Sequence, residues 1–377
     1  MDRRRLRKVV VLALFGTAIT AGVVLRMNLD VDHDVVALMT PGAQSPAAAL
    51  IRHDFPSYAL HEGIGHDGQA FYVIAREPMH LRDAARWTDR PRYRLQRILL
   101  PVLAWSTHPQ GGGRGLVVSL WTWAAVGVAL TGLGAALLAH SLGASRRAVE
   151  ALALLAPLLP AAFATLDLSV ADELALGLAL VALALDRMGH RRGALGTAVL
   201  AVLAKEAMLL VLVGWALTRG RRTMLRLVGA PAAVAGAWWI VLHMWFSSSR
   251  EPNEEFSMIG GLRDAVRVWF DGGSRISGVV VAAGVAAGVF VLVRRGLRSP
   301  LGGAIAIQLA LLPFLSAVVL AGDWNGPRAT APLLLLSIVA MTLPSRAPGP
   351  VEPSSGEPAH AESAPDATLS PLPAARA

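Results

Sequence analysis

Runs of Leu, Val, Ala and Ile recur along this chain, separated by short clusters of arginine, and that alternation predicts helices that cross a lipid bilayer. A basic start, Met1 to Lys8, leads into an apolar stretch from Val9 to Leu25. Further apolar segments follow at Leu116 to Leu138, Val149 to Ala164, Leu174 to Leu185, Met224 to Phe246, Val279 to Val293, Leu301 to Ala321 and Thr330 to Leu343. Several are shorter than the roughly 20 residues that cross a hydrocarbon core of about 30 Å. Local thinning of the bilayer, or helices that end at an internal cavity, would accommodate them.

The first stretch could be a cleavable signal peptide, but Ala18 and Ala21 make a poor cleavage site and the apolar run extends past them. An uncleaved anchor with its N-terminus inside is the expectation. Between Ala194 and Leu217, Lys205 and Glu206 interrupt two apolar halves, each about 16 Å long as helix. A single span would place either Arg191/Arg192 or Arg219/Arg221/Arg222 outside. A hairpin of two short helices instead puts those groups, Arg146/Arg147, Arg294/Arg295/Arg298 and Arg346 all on the cytoplasmic side, as the positive-inside rule favours.

The expectation is therefore an all-α polytopic protein of about ten membrane segments, two of them short, with both termini cytoplasmic. Residues 1–8 form a basic cytoplasmic start, 9–346 the membrane domain, and 347–377 a Pro-, Ala-, Ser- and Glu-rich tail that reads as disordered. The first extracytoplasmic loop, 27–115, is the long one. Within it, Ile98 to Trp105 is apolar but too short to cross, and suits a helix lying at the interface. In the third loop Leu262, Ala265, Val266 and Trp269 recur at helical spacing with Arg263 and Arg267 on the other side, which predicts a second surface helix.

Composition agrees: 377 residues, 54% of them hydrophobic and 16% charged, with a mean hydropathy of +0.51, match no ordinary soluble domain. The net charge of +9 comes from arginines between apolar segments, so it points to loops beside a membrane rather than to nucleic acid. With no cysteine, disulfides, thiolate metal sites and thiol nucleophiles are excluded.

The candidate chemistry concentrates in the first loop. Gly63-Ile64-Gly65-His66-Asp67-Gly68-Gln69-Ala70-Phe71-Tyr72 is a glycine-bracketed acid followed by aromatics. An Asp-Gly pair is ordinarily a turn. Here the glycines permit close backbone approach, so Asp67 is the candidate catalytic base, with His66, Gln69 and Tyr72 lining the substrate. His61 and His66 stand five apart across two glycines, whereas the zinc-protease motif needs its histidines four apart on one helical face. No metal or other cofactor is indicated, although a divalent cation is compatible with the acids present.

A cationic run, Asp89-Arg90-Pro91-Arg92-Tyr93-Arg94-Leu95-Gln96-Arg97, feeds the interfacial segment. It fits two readings: a belt that snorkels to anionic headgroups, or capture of a substrate phosphate by guanidinium forks, with Arg94 and Arg97 as the candidates. Lys205 lies where an ionisable group is expensive, and is a candidate for the same phosphate, with Glu206 as its neutralising neighbour. Arg328 is either a snorkelling residue or a contact to a leaving phosphate. Asp172 and Glu173 read as caps of the helix that follows them, while Asp167 is placed facing the same cavity as Asp67.

Three pieces together resemble the integral-membrane type C glycosyltransferases, specifically bacterial relatives associated with cell-surface glycopolymer formation. They are the Gly65 to Tyr72 stretch, then Tyr93-Arg94-Leu95-Gln96-Arg97-Ile98-Leu99-Leu100-Pro101-Val102-Leu103-Ala104-Trp105, and Leu203-Ala204-Lys205-Glu206-Ala207. The likeness extends over roughly Val9 to Leu343. His66 stands where an aromatic is more usual, and Lys205 where arginine is often seen. The resemblance implies a multi-pass protein of a bacterial plasma membrane with its site facing outward. It also implies transfer, with inversion, of a sugar from a polyprenyl-phosphate donor to a glycan or lipid acceptor, with Asp67 as base and Arg94, Arg97, Lys205 and Arg328 on the donor phosphate. Two other classes fit the same pattern. A lipid-linked-saccharide flippase would keep its transport when Asp67 is changed to Asn, and a non-catalytic envelope assembly protein would tolerate changes at Asp67, Arg94 and Arg97 together.

Overall fold

The first helix, α1 (Arg3–Asp32), begins where the Asp2 carboxylate accepts the Arg5 backbone N–H at 2.8 Å, and it ends at His33, whose left-handed backbone (φ 53°) breaks the ladder. The computed structural model describes residues 1–247, 260–271, 274–322 and 324–344. The C-terminal tail, Arg346 and most of the segment before the third-loop helix lie outside the described residues.

After α1 come the loop helices α2 (Asp67–Arg76), α3 (Pro91–Gln96) and α4 (Leu99–Thr107), then the long α5 (Arg114–Ser141). Next are α6 (Arg146–Leu158) and α7 (Pro160–Asp167), which meet at a bend of 41° where Pro160 interrupts the ladder. They lead to α8 (Asp172–Arg187), α9 (Arg191–Ala204), α10 (Met208–Leu217) and α11 (Arg221–Trp245). The chain finishes with α12 (Gly260–Phe270), α13 (Arg275–Arg295), α14 (Gly302–Phe314), α15 (Ala317–Ala321) and α16 (Asn325–Met341).

Among the described residues the only extended pairing is two isolated bridges, Pro41 with Gly65 and Gly42 with His61. Among the described residues four helices, α1, α5, α11 and α13, are long and apolar enough to cross a membrane, and the α6–α7 pair makes a fifth if it counts as one span. Their outer faces are apolar too. Val11 and Phe15 of α1, Ile240 of α11 and Val293 of α13 are 57, 58, 53 and 79% exposed. An apolar exterior of this kind is matched by lipid rather than by water.

Polar contacts fix the direction of each helix. The Lys8 ammonium meets Glu150 at 2.7 Å near the starts of α1 and α6, while the Asn28 amide donates to Asp167 at 2.8 Å where α1 and α7 end. Along α8 the same logic decides the segment that was ambiguous in sequence. Lys205, between α9 and α10, pairs with Asp172 at the start of α8, and the Trp215 indole N–H near the end of α10 donates to Asp186 at 2.9 Å, near the end of α8. Asp172 and Asp186 lie about 21 Å apart along that helix. The chain therefore climbs α9 to Lys205 and returns down α10: a hairpin, with Lys205 and Glu206 at its tip.

Where α5 crosses α8 the backbones touch. A Cβ placed on Gly127 would stand 2.5 Å from the Leu174 nitrogen, and one on Gly177 would stand 2.7 Å from the Leu130 carbonyl carbon. Such close approach between helices is available only to glycine and sets the position of Asp172 and Glu173 against α5. The loop helix α4 packs on α5 through Leu100 and Ala104, both fully buried, and Ser119 donates to the Ala104 carbonyl at 2.8 Å. The third-loop helix α12 buries Gly261 and Ala265 and turns Arg263 and Arg267 outward, as its periodicity predicts.

Gly177→Ala is expected to destabilise the folded protein by about 1–3 kcal/mol through overpacking. Gly196→Ala, where an added Cβ meets nothing within 4 Å, is expected to be neutral or slightly stabilising. Thermal unfolding of the two variants in one detergent compares them, and equal midpoints would refute the close-packing account.

Candidate functional site

The site is built on a loop that is folded back on itself. Gly65, in the left-handed region at φ 68°, bridges to Pro41, and a Cβ there would stand 2.4 Å from the Gly42 nitrogen. Gln69 clamps this corner: its Oε1 accepts from the Gly42 N–H at 3.1 Å and its Nε2 donates to the Ile64 carbonyl at 2.7 Å. Asp67 is thereby held at the first position of α2, where the helix dipole also favours its charge.

From that point Asp67 faces a cavity of about 640 Å³. Arg94 donates to one of its oxygens, and Arg328 donates to the other at 3.1 Å. Arg94 also forks onto Asp89 at 2.8 and 3.0 Å, and Arg328 onto Asp172 at 2.9 and 3.2 Å. Asp172 pairs in turn with Lys205, and Arg97 forks onto Glu206 at 2.8 and 3.3 Å. Elements far apart in sequence, namely the first loop, the start of α8, the hairpin tip and the start of α16, thus meet in one charge network. The Tyr93 ring lies among three of the cations, with the Arg90, Arg94 and Arg97 guanidinium carbons 4.5, 5.3 and 4.2 Å from its centre.

Five cationic side chains (Arg90, Arg92, Arg97, Lys205 and Arg328) line the cavity against four acids (Asp67, Asp172, Glu173 and Glu206). The rest of its wall is apolar, with Leu176, Met208, Leu210, Leu311, Leu315 and Val319 among the contributors. Trp239 of α11 and Val318 of α15 also border it and are 47 and 63% exposed, so the cavity is not sealed on the side where these two helices lie. A smaller cleft of about 90 Å³ lies on the loop side, bordered by His66, Trp87, Asp89 and Arg94. Arg94 therefore stands between the two spaces.

Burial works against the charge on Asp67, yet the guanidinium groups of Arg94, Arg328 and Arg97 outweigh it and hold the carboxyl well below the usual carboxylate range. Burial pushes the neighbouring His66 imidazole below its ordinary value.

Of the residues singled out in the sequence, Asp67, Arg94, Arg97, Lys205 and Arg328 come together as one cluster. None of the four expected lining residues, His66, Gln69, Tyr72 and Asp167, faces the cavity. Gln69 borders only the small cleft, and both of its amide atoms are committed to the backbone. Tyr72 is fully buried, its hydroxyl donating to Asp54 at 2.7 Å and accepting from the Gly113 N–H at 2.7 Å, so it ties α2 to the base of α5. Asp167 accepts from Asn28 and borders neither space. His66 belongs to the small cleft. The pairing expected at the hairpin tip is also different, because Glu206 answers Arg97 while Lys205 answers Asp172. Asp172 and Glu173 stand in the first turn of α8 as expected, without a side-chain capping bond, and both also line the cavity. One signal that could have marked them is an adjacent acid pair at the edge of an apolar span, which is costly unless paired or used.

Comparison of the chain with family models, with curated proteins and with solved structures gave no match.

Asp172 is 8% exposed and answers both Lys205 and Arg328, whereas the loss of Asp67 leaves Arg94 on Asp89 and Arg328 on Asp172. Asp172→Asn is therefore expected to destabilise the protein by about 3–5 kcal/mol, with a clearly smaller loss for Asp67→Asn. Chemical or thermal unfolding of the two variants in detergent would reverse this assignment if Asp67→Asn proved the more harmful.

Proposed function

We propose that this protein is a membrane glycosyltransferase of the type C architecture. In this reading it transfers a sugar from a polyprenyl-phosphate donor to a glycan or lipid acceptor at the outer face of a bacterial plasma membrane. The observation that carries the proposal is the cavity: cationic and acidic side chains at one end, an apolar wall at the other, and a side left unsealed where Trp239 and Val318 are exposed. A phosphate joined to a long hydrocarbon is the substrate chemistry that such a space complements, its head among guanidinium groups and its tail between helices.

In this reading ten segments enter the bilayer: α1, α5, α6–α7, α8, α9, α10, α11, α13, α14–α15 and α16, with the α9–α10 hairpin supplying the two short ones. Arg146/Arg147, Arg191/Arg192, Arg219/Arg221/Arg222 and Arg294/Arg295 then share the end of the bundle opposite Asp67, as the positive-inside rule favours. Helices that stop short of crossing leave room for the cavity above them.

The reaction needs one base and a stabilised leaving group. The acceptor hydroxyl oxygen forms a bond to the anomeric carbon while the bond from that carbon to the phosphate oxygen breaks. Asp67 takes the hydroxyl proton, and polyprenyl phosphate departs with the electron pair, its charge met by Arg328, Lys205 and Arg97. Attack from the face opposite the phosphate inverts the anomeric centre. The small loop-side cleft beside Arg94 offers the acceptor a separate approach.

In the empty site Arg94 and Arg328 both sit on Asp67, which makes it a weak base. A donor phosphate in the cavity competes for Arg328, which lines it. Its arrival draws that guanidinium from the carboxylate and raises the basicity of Asp67 when the acceptor must be deprotonated.

In reconstituted vesicles supplied with radiolabelled polyprenyl-phosphate sugars, Asp67→Asn is expected to lower transfer by at least about 10²-fold at equal protein abundance. Lipid-linked sugar that still crosses the vesicle membrane in this variant, with no transfer in the wild type, would identify a transporter instead. Because the charged form of Asp67 persists as pH falls, kcat/KM for the donor is expected to stay level from about pH 7.5 to about pH 5. Arg94→Gln removes a cation that favours the charged form, so its acid limb should move to higher pH. An unmoved limb would mean that Asp67 is not the titrating base.

A further inference from the structure

Two buried polar side chains that line the cavity lack partners that the fold would normally supply. Glu173 is 2% exposed, and its Oε2 has no hydrogen-bond partner among the described residues. Its neighbour Asp172 pairs with both Lys205 and Arg328, and Glu173 has no ion pair among the described residues. The Thr131 hydroxyl, which donates to the Glu173 backbone carbonyl at 2.9 Å, also lies beside the carboxyl but leaves its Oε2 without a partner among the described residues. Gln308 of α14 is 5% exposed, borders the same cavity and makes no hydrogen bond among the described residues. Native proteins rarely bury such groups unsatisfied, and when they do the missing partner is commonly water or a ligand. Groups of this kind placed at membrane depth are retained for function more often than for stability.

The two groups differ from the rest of the cavity in what they can recognise. Arg97, Lys205 and Arg328 donate hydrogen bonds, so they answer a phosphate. A carboxylate accepts and a carboxamide both accepts and donates, which is the set that answers ring hydroxyls. Glu173 and Leu176 lie three apart on the cavity face of α8, immediately beyond the Asp172–Arg328 pair, so Glu173 follows the phosphate-binding groups directly.

We propose that Glu173 and Gln308 are the groups that read the hydroxyls of the sugar carried on the lipid phosphate, separately from the cationic side chains that hold the phosphate itself. This inference rests on the lipid-phosphate-sugar reading of the cavity. It assigns the two residues to specificity rather than to proton transfer. It also explains why a carboxylate with an unpaired oxygen stands beside one that is fully paired.

The test compares two probes: bare polyprenyl phosphate, and polyprenyl phosphate carrying mannose, glucose or N-acetylglucosamine. Both are titrated onto the full-length wild type and onto Glu173→Leu and Gln308→Leu in detergent. For at least one sugar the wild type is expected to bind the glycosylated lipid more tightly than the bare one. Each variant should lose about tenfold for that ligand, the worth of one hydrogen bond to a charged or buried group, while affinity for bare polyprenyl phosphate stays within about twofold. Arg328→Gln, by contrast, should weaken both probes.

Thermal unfolding provides a readout that a purely structural role would move the other way, because Glu173→Leu removes an unsatisfied carboxyl and should leave the midpoint unchanged or raise it. Equal loss for both probes, no loss for either, or a wild type that prefers no sugar would overturn the inference while leaving the lipid-phosphate reading intact. A lowered midpoint for Glu173→Leu with unchanged binding would also overturn it. Failure of the wild type to bind either probe would bring down the lipid-phosphate reading and this inference with it.

Discussion

Arg328 joins the two halves of the site. Almost wholly buried, it donates to Asp67 on the first loop and to Asp172 at the start of α8, and it is held on its own helix by Asn325 at 3.2 Å. A guanidinium removed from water needs compensating carboxylates with good geometry, and each carboxylate needs its own partners in turn. Satisfying that demand brings in Arg94 and Asp89 on one side and Lys205 on the other. The loop, the hairpin tip and the helices are thereby locked into one arrangement, since moving any of them would strand a charge.

The same requirement explains why several helices are short. α9 and α10 stop at Lys205 and Glu206 because those residues have partners waiting at the Asp172 end of α8 and on Arg97. A continuous helix through this segment would have carried both charges into hydrocarbon. Ending early leaves a space above the apolar segments, and that space is the cavity bordered by the exposed Trp239 and Val318. On the proposed reading the lipid tail enters there, while the network presents a phosphate-sized patch of positive charge whose neutralising acids can be exchanged for the substrate's own anion. A preformed network of this kind also keeps the cationic side chains from collapsing onto lipid headgroups when no substrate is bound.

Much of this was legible in the sequence. The apolar segments, the positions of the arginine clusters, the hairpin at 194–217 and the surface helix around Ala265 follow from hydropathy, charge and period, which are local properties. Asp67, Arg94, Arg97, Lys205 and Arg328 were recognisable as candidates because an ionisable group beside an apolar run is costly wherever it goes. Tyr72 and Gln69 were misplaced for a different reason. Both sit beside Asp67 in sequence, but on a helix three to five residues point in several directions, and the partners that claim these two, Asp54 and Gly42, come from earlier in the chain. The position of Asp172 at a helix start is locally sufficient to explain an acid there, so the sequence does not reveal its ion-pair partners, which lie 33 and 156 residues away.

While the breaks at Pro160 and between Phe314 and Ala317 appear only in the structure, the chain by itself determined that it forms helices suited to a bilayer, which stretches are apolar, and which side chains are too polar to be left unpaired there. Those outcomes depend on solvent transfer and on backbone geometry over a few residues. Which acid answers which cation, whether a buried carboxyl such as Glu173 is paired or left open, and where a cavity remains were decided only by tertiary packing. Each depends on the distance between segments brought together from the whole length of the chain, at contacts as specific as Gly127 on Leu174, and no local pattern encodes that distance.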